Sequence, residues 1–267
     1  MNKIISKLKE ISQDYELLVI LAKRDISVRY KQTILGVAWA VIRPMATMLV
    51  FLFAFKNVAN IKDFSGYPIQ LVIFSGILFW NYFANGFQSI SQSILINGNL
   101  ISKVYFPRLI ICISSLAVTL VDFFVGLLVY LLLLIGLHQP ISETIIYLPL
   151  ALLITTIFSL GLGLIFASFA VKYRDLLQAI PLIVQYGFFV TPIVYTSNEF
   201  ITKSWYPLYS ILNPLASFVE LFRFCLISNY SLFSFQYFVI AGFTSLIIFF
   251  IGLWVFDIRE DSFVDHL

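Results

Sequence analysis

Charge is scarce in this chain. Only 12% of its 267 residues are Asp, Glu, Lys or Arg, 60% are hydrophobic, and the mean hydropathy is +0.95. Soluble domains carry about a quarter charged residues, so the composition excludes that class and points to an integral membrane protein. The two cysteines, Cys112 and Cys225, are far apart in apolar surroundings, which excludes a disulfide framework or a cysteine metal site and leaves buried, inert thiols. The two histidines, His138 and His266, are isolated near loops without neighbouring ligands. No glycine is followed by Lys-Ser or Lys-Thr, so a phosphate-cradling loop is missing and any ATP work must come from a partner. No Ser/His/Asp set, carboxylate pair, internal repeat or low-complexity tract is present beyond the apolar runs. The net charge of +3 is small, and no nucleic-acid partner is expected. The opening MNKIISKLKEISQDYELL lacks the compact apolar core and small-residue cleavage site of a signal peptide. It is therefore expected to be retained and to face the cytoplasm.

What is there is organised by Arg24 to Pro44, RDISVRYKQTILGVAWAVIRP, where a charged segment turns directly into an apolar run. Ser12 is a plausible N-cap, and Asp14 and Glu16 suit the first turn of a helix. The apolar core that follows, Leu17 to Ala22, is too short to cross a bilayer, and Lys23, Arg24 and Asp25 come at once. Residues 12–31 are thus expected as an amphipathic helix in the membrane interface, or else as a cytoplasmic helix packed on its own protein.

Six spans follow, at about 33–55, 68–88, 109–137, 144–171, 176–195 and 235–256, with Pro181 and Pro192 bending the fifth. Asn97-Gly98-Asn99 supplies turn chemistry in the segment between spans two and three, which is too polar to span and too apolar for a free linker. Between Thr196 and Ser234, Trp205, Tyr206 and Tyr209 precede Asn213-Pro214, and the apolar run from Leu215 to Ile227 carries Glu220 and Arg223. Those 13 residues reach only about 20 Å as a helix, short of the roughly 30 Å hydrocarbon core. A re-entrant helical hairpin before the last span is the expectation; two tilted short spans are the alternative. Twelve Lys and Arg then fall inside and four outside (Lys56, Lys62, Lys203 and Arg223), with Arg43 left in span one. Both termini are expected in the cytoplasm. The predicted fold is an all-α membrane protein: an N-terminal segment, residues 1–32, and one six-span domain, residues 33–267.

Asp122 stands alone in span three, without a basic mate in the neighbouring spans; it marks either an ion or proton path or a structural contact between helices. The chain lacks the inverted halves and paired broken helices of a secondary transporter. Its 28 Phe and 14 Tyr fit lipid-facing positions and interfacial belts, and some Tyr and Trp facing an internal path would suit sugar rings.

The ordered set of motifs resembles the type-2 ABC exporter permeases that move polysaccharides. It comprises Arg29-Tyr30-Lys31 with Leu35-Gly36, Trp39 and Pro44; NGNLISKVYFPR; Thr191-Pro192-Ile193-Val194-Tyr195; Asn213-Pro214 through Glu220 and Arg223; and the closing REDSFVDHL. Arg43 departs from the apolar or aromatic residue expected before Pro44. The resemblance implies a homodimer in the bacterial inner membrane, driven by two copies of a separate ATP-binding subunit that holds ATP and Mg, this chain having no cofactor. It implies export of a lipid-linked glycan such as O-antigen, capsule or teichoic acid. The loop with Asn97, Gly98, Asn99, Leu100, Lys103, Val104, Phe106 and Pro107 would dock on the ATPase. Arg24, Arg29 and Lys31, with Arg43, would receive the lipid diphosphate, since guanidinium groups suit phosphate oxygens; ordinary attraction to anionic lipid is the alternative. Trp205, Tyr206, Asn213, Pro214, Glu220 and Arg223 belong to the outward hairpin. A permease for a drug or lipid would share the fold, and a membrane enzyme of glycan assembly would share the location.

Overall fold

The chain is helical because long apolar runs, with no water to satisfy the backbone, must close their hydrogen bonds within the segment. The structure is a computed structural model that describes residues 14–31, 36, 38–60, 63–64, 66–104, 106–260 and 263. The expected cap at Ser12, the expected onset of span one at Thr33, His266 and most of the closing REDSFVDHL lie outside the described residues.

Helix α1 (Tyr15–Lys31) has Glu16 in its first turn and Arg29 and Lys31 in its last, each at the end where the helix dipole favours it. Helix α2 (Ala38–Leu52) continues through Pro44 and ends in a wide turn, Phe53–Val58. A two-residue antiparallel hairpin, β1 (Asp63–Phe64) and β2 (Tyr67–Pro68), pairs Phe64 with Tyr67 and leads into α3 (Ile69–Ile96). The short α4 (Gly98–Ile101), α5 (Leu109–Ser114) and α6 (Leu116–Gly136) follow, and His138, in the left-handed conformation at φ 53°, turns the chain after α6. A 3-10 turn, Glu143–Tyr147, opens α7 (Leu148–Ala170); then come α8 (Leu176–Val190), α9 (Tyr206–Leu212), α10 (Pro214–Leu226) and α11 (Phe235–Arg259).

Among the described residues, four helical stretches are long and apolar enough to cross a membrane: Ala38–Val58, Leu109–Gly136, Glu143–Ala170 and Phe235–Arg259. Helix α8 is apolar but has only 15 residues. Helix α3 has 28 and is enclosed by its neighbours, packing against α2, α5, α6, α7, α8 and α10. Two apolar clusters form along it. One, toward Ile69, gathers Phe74, Phe79, Tyr130 and Phe222; the other, toward Ile96, joins Ile90 and Ile94 to Leu21 of α1, Phe106, Phe256 and Phe263.

The helix boundaries correct the sequence reading at two places. Span two was expected to stop at Gln88, yet α3 runs to Ile96, because its serines turn inward: Ser91 Oγ donates to Phe87 O at 2.7 Å and Ser93 Oγ to Ile90 O at 2.7 Å. Span five was expected to reach Tyr195, yet α8 ends at Val190. Pro192 disfavours helical backbone in the residue before it, and Thr191 is extended at φ −90°, ψ 142°. Arg223, counted with the outside cations, is fully buried in α10.

Helices α7 and α11 make the most extensive helix contact, and small residues permit it. A Cβ placed on Gly252 would lie 2.4 Å from the carbonyl oxygen of Gly161, and one on Gly161 would lie 2.7 Å from the backbone of Phe249. Between apolar helices in lipid, such close backbone approach takes the place of a hydrophobic driving force. Gly252→Leu should therefore destabilise the fold by about 1–3 kcal/mol or more through overpacking. It should appear as a lower melting temperature in detergent, and Gly242→Leu, where a Cβ meets nothing, serves as the neutral control.

Candidate functional site

Two adjoining cavities open beside α3. The first, of about 390 Å³, is lined by Arg29, Tyr30, Arg43, Asn81, Asn85 and Asp122 among others. The second, of about 360 Å³, includes Asp25, Arg29, Arg43, Asn85, Gln88 and Gln92. They share Arg29, Arg43 and Asn85 and form one polar trough between α1, the start of α2, α3 and α6.

Charge in the trough is only partly compensated. Arg29 Nη2 lies 2.5 Å from Asp122 Oδ2, and the Tyr30 hydroxyl donates to Asp122 Oδ1. Asp122 is thus paired, and its mate comes from α1 rather than from a span, which is why the sequence showed none. Burial first, and then the bond to Asp122, raises the Tyr30 pKa well above the ordinary phenol value, so the hydroxyl stays a donor. The Arg29 side chain remains 40% exposed, and among the described residues only its Nη2 is bonded. Arg43 has its guanidinium 5.6 Å from the centre of the Trp39 ring, and no ion pair holds it among the described residues. The residue that departed from the family pattern is therefore a trough cation stacked on an aromatic face.

The four expected headgroup cations do not stay together. Arg29 and Arg43 share the trough, Lys31 is exposed at the end of α1, and Arg24 turns away to Asp25 and to Asn97 Oδ1, each at 2.7 Å. Arg24 thereby ties α1 to the loop after α3. In that loop Asn99, Lys103 and Val104 are exposed, whereas Gly98, Leu100 and Pro107 are half-buried. Phe106, expected on the docking surface, is instead 8% exposed and packed in the second apolar cluster. The chain's end closes on the same region: Glu260 accepts from the Arg108 amide at 3.3 Å, and Phe263 packs on Phe256.

At the opposite end of α3, α10 is built around a buried ion pair. Val190 and Ile193 carry carbonyls freed where α8 stops, and such groups need partners in apolar surroundings. Tyr209 donates to Val190 O at 2.6 Å, and Arg223 Nη2 donates to Ile193 O at 2.7 Å. Glu220 lies 3.2 Å from Arg223 Nη1, accepts from the Ser197 amide at 3.1 Å and its hydroxyl at 2.8 Å, and accepts from Tyr230. Asn213 Nδ2 donates to Thr191 Oγ1 at 3.0 Å. Gly76 of α3 makes room: a Cβ there would lie 1.9 Å from Ile193 O. Of the hairpin aromatics, a type that prefers the membrane interface, Trp205 is 51% exposed, but Tyr206 is 1% exposed and meets Tyr237 edge-on at 4.7 Å. Glu220 and Arg223 thus act as a clamp, joining α10 to Ser197, Tyr230 and the Ile193 carbonyl, while Arg223 Nε has no partner among the described residues.

The sequence reading saw only scattered polar residues in the spans and missed the amides of α3. Their spacing, Asn81, Asn85, Gln88 and Gln92, is that of one helix face and was the available signal.

Fold and trough together define a multi-pass membrane protein with a polar recess among apolar helices. The ABC-2 type transporter family is matched over residues 16–227, and the chain belongs to it as a transport subunit rather than an enzyme. It is 30% identical over 256 residues to the O-antigen export system permease protein RfbA of Klebsiella pneumoniae, covering 95% of each chain. It is 27% identical over 220 residues to the protein of the same name from Myxococcus xanthus, 82% of this chain and 84% of that one. Against the polysialic acid transport protein KpsM of Escherichia coli it is 26% identical over 244 residues, 90% and 92% of the two chains.

Removing one partner of a buried pair strands the other charge, at a cost of about 3–5 kcal/mol. Arg223→Met should lower the melting temperature sharply. Adding Glu220→Gln should recover part of the loss, and a double-mutant cycle that comes out additive would mean that the two side chains act separately.

Proposed function

We propose that this chain is the membrane subunit of an ATP-driven exporter that carries a lipid-linked polysaccharide out of the cytoplasm. The observation that carries this reading is the polar trough with Arg29 and Arg43 in its wall, set in a permease whose relatives along nearly its full length export O-antigen and polysialic acid. Two guanidinium groups with free donors beside a helix of the interface type match the diphosphate of a lipid carrier.

The working unit in this reading is a homodimer in the bacterial inner membrane, served by two ATP-binding subunits that hold ATP and Mg. Six crossings per chain are formed by α2, α3, α5 with α6, α7, α8 and α11, after an interface helix α1 in the segment 1–32. Supporting them, the basic residues gather in the segments assigned to the cytoplasm, and both termini lie there. The hairpin α9–α10 dips into the outer leaflet and returns; its 7 and 13 residues are each too short to cross. Asn99, Lys103 and Val104 present the coupling surface to the ATPase, with Leu100 and Phe106 holding the loop against the core. Arg24, bonded to Asn97, links that loop to the trough.

Co-expressed with its ATP-binding subunit, the chain should co-purify as a complex whose ATPase rate rises on addition of a polyprenyl-diphosphate-linked glycan. Val104→Asp with Lys103→Glu should abolish co-purification while leaving a monodisperse permease. Arg29→Gln with Arg43→Gln should keep the complex and raise the half-maximal glycan-lipid concentration at least tenfold. Arg29→Lys with Arg43→Lys preserves charge but not the bidentate geometry; an unchanged response in that variant would assign the arginines to general attraction for anionic lipid.

A further inference from the structure

Helix α3 is inside out for a membrane protein. From Leu71 to Ile94 every residue is buried except Asn81, Asn85, Gln88, Ser89 and Gln92, and all five are polar. They follow one face at intervals of three and four and extend for about 16 Å along the helix. The four amides look into the trough. None makes a side-chain hydrogen bond with another described residue, whereas the serines and Tyr82 on the other faces do.

Amides without partners are costly in hydrocarbon, at several kcal/mol each by transfer into a solvent that cannot hydrogen-bond. The open face of α3 therefore does not face lipid tails; it faces water, a second copy or a ligand. The chemistry of the row selects among these. Carboxamides are neutral and offer donors and acceptors at once, which matches hydroxyl groups that do the same. Their N–H groups can also donate to a phosphate, but they lack the charge and bidentate fork with which Arg29 and Arg43 suit one, and they match neither an acyl chain nor an apolar drug.

We propose that this row is a sugar-reading track: the first sugars of the cargo hydrogen-bond to Asn81, Asn85, Gln88 and Gln92 while the diphosphate stays on the arginines. The inference rests on the export reading and divides its site into two parts with separate ligand chemistry.

The test uses the permease–ATPase complex in lipid nanodiscs and two probes, a polyprenyl diphosphate without sugar and the same lipid carrying a disaccharide. In the unaltered complex both stimulate ATP hydrolysis, the disaccharide lipid at lower concentration. Asn85→Leu with Gln88→Met should raise the half-maximal concentration of the disaccharide lipid at least tenfold, to that of the sugar-free lipid, whose own value moves less than twofold. Asn85→Ser with Gln88→Ser, smaller and still polar, gives the same readout should the apolar variant fail to assemble. An unchanged disaccharide response, or equal loss for both lipids, overturns the track. A complex that loses one permease copy, measured by mass, makes the row an interface between copies and also overturns it. An unaltered complex that responds to neither lipid removes the export reading and the track together.

Discussion

A helix that ends among apolar side chains leaves carbonyls that something must satisfy, and here Arg223 does so. Pro192 stops α8 at Val190, and the guanidinium reaches Ile193 O while Glu220 neutralises it and holds Ser197 and Tyr230. That pair joins the end of α8 and the hairpin α9–α10 and, through Arg223 Nη2 and Val72 O at 3.4 Å, reaches the start of α3. Gly76 shows how closely they are drawn: the backbone of Ile193 occupies the space where any side chain on α3 would begin. The clamp fixes one end of α3 and leaves the other to be positioned by apolar packing around Ile90, Ile94, Phe106 and Phe263.

Held at both ends, α3 presents a single open face, and the trough follows from it. Its cations come from other elements, Arg29 from α1 and Arg43 from α2, so the site exists only when α1 is seated. Asp122 seats it by accepting from Arg29 and Tyr30. Arg24, bonded to Asn97, extends the same helix to the loop assigned to the ATPase. In the proposed reading, α1 thus reaches the cargo site and the coupling loop through residues five positions apart.

Much of this was legible in the chain itself. The apolar runs located the long helices, and the 13-residue length and Asn213-Pro214 break of α10 stand in the structure at Pro214–Leu226. Boundaries failed where side chains overrule composition. The serines near Gln88 look polar in sequence but bond to their own helix, and Pro192 ends a span that hydropathy alone continues. Pairing was less legible, because the partner of Asp122 lies 93 residues away and those of Arg223 are mostly backbone carbonyls without sequence identity. Phe106 was assigned by resemblance to the docking loop and Tyr206 to the outward hairpin, and tertiary packing buries both.

The most direct measurement is transport. The permease and its ATP-binding subunit, reconstituted in sealed vesicles with the nucleotide sites outward, would be given a polyprenyl-diphosphate-linked glycan outside and a glycan-cleaving enzyme trapped inside. ATP hydrolysis should produce cleaved glycan in the lumen, and a variant ATPase subunit that binds but does not hydrolyse ATP should produce none. Steady ATP hydrolysis with the glycan still entirely outside would contradict polysaccharide export by this chain.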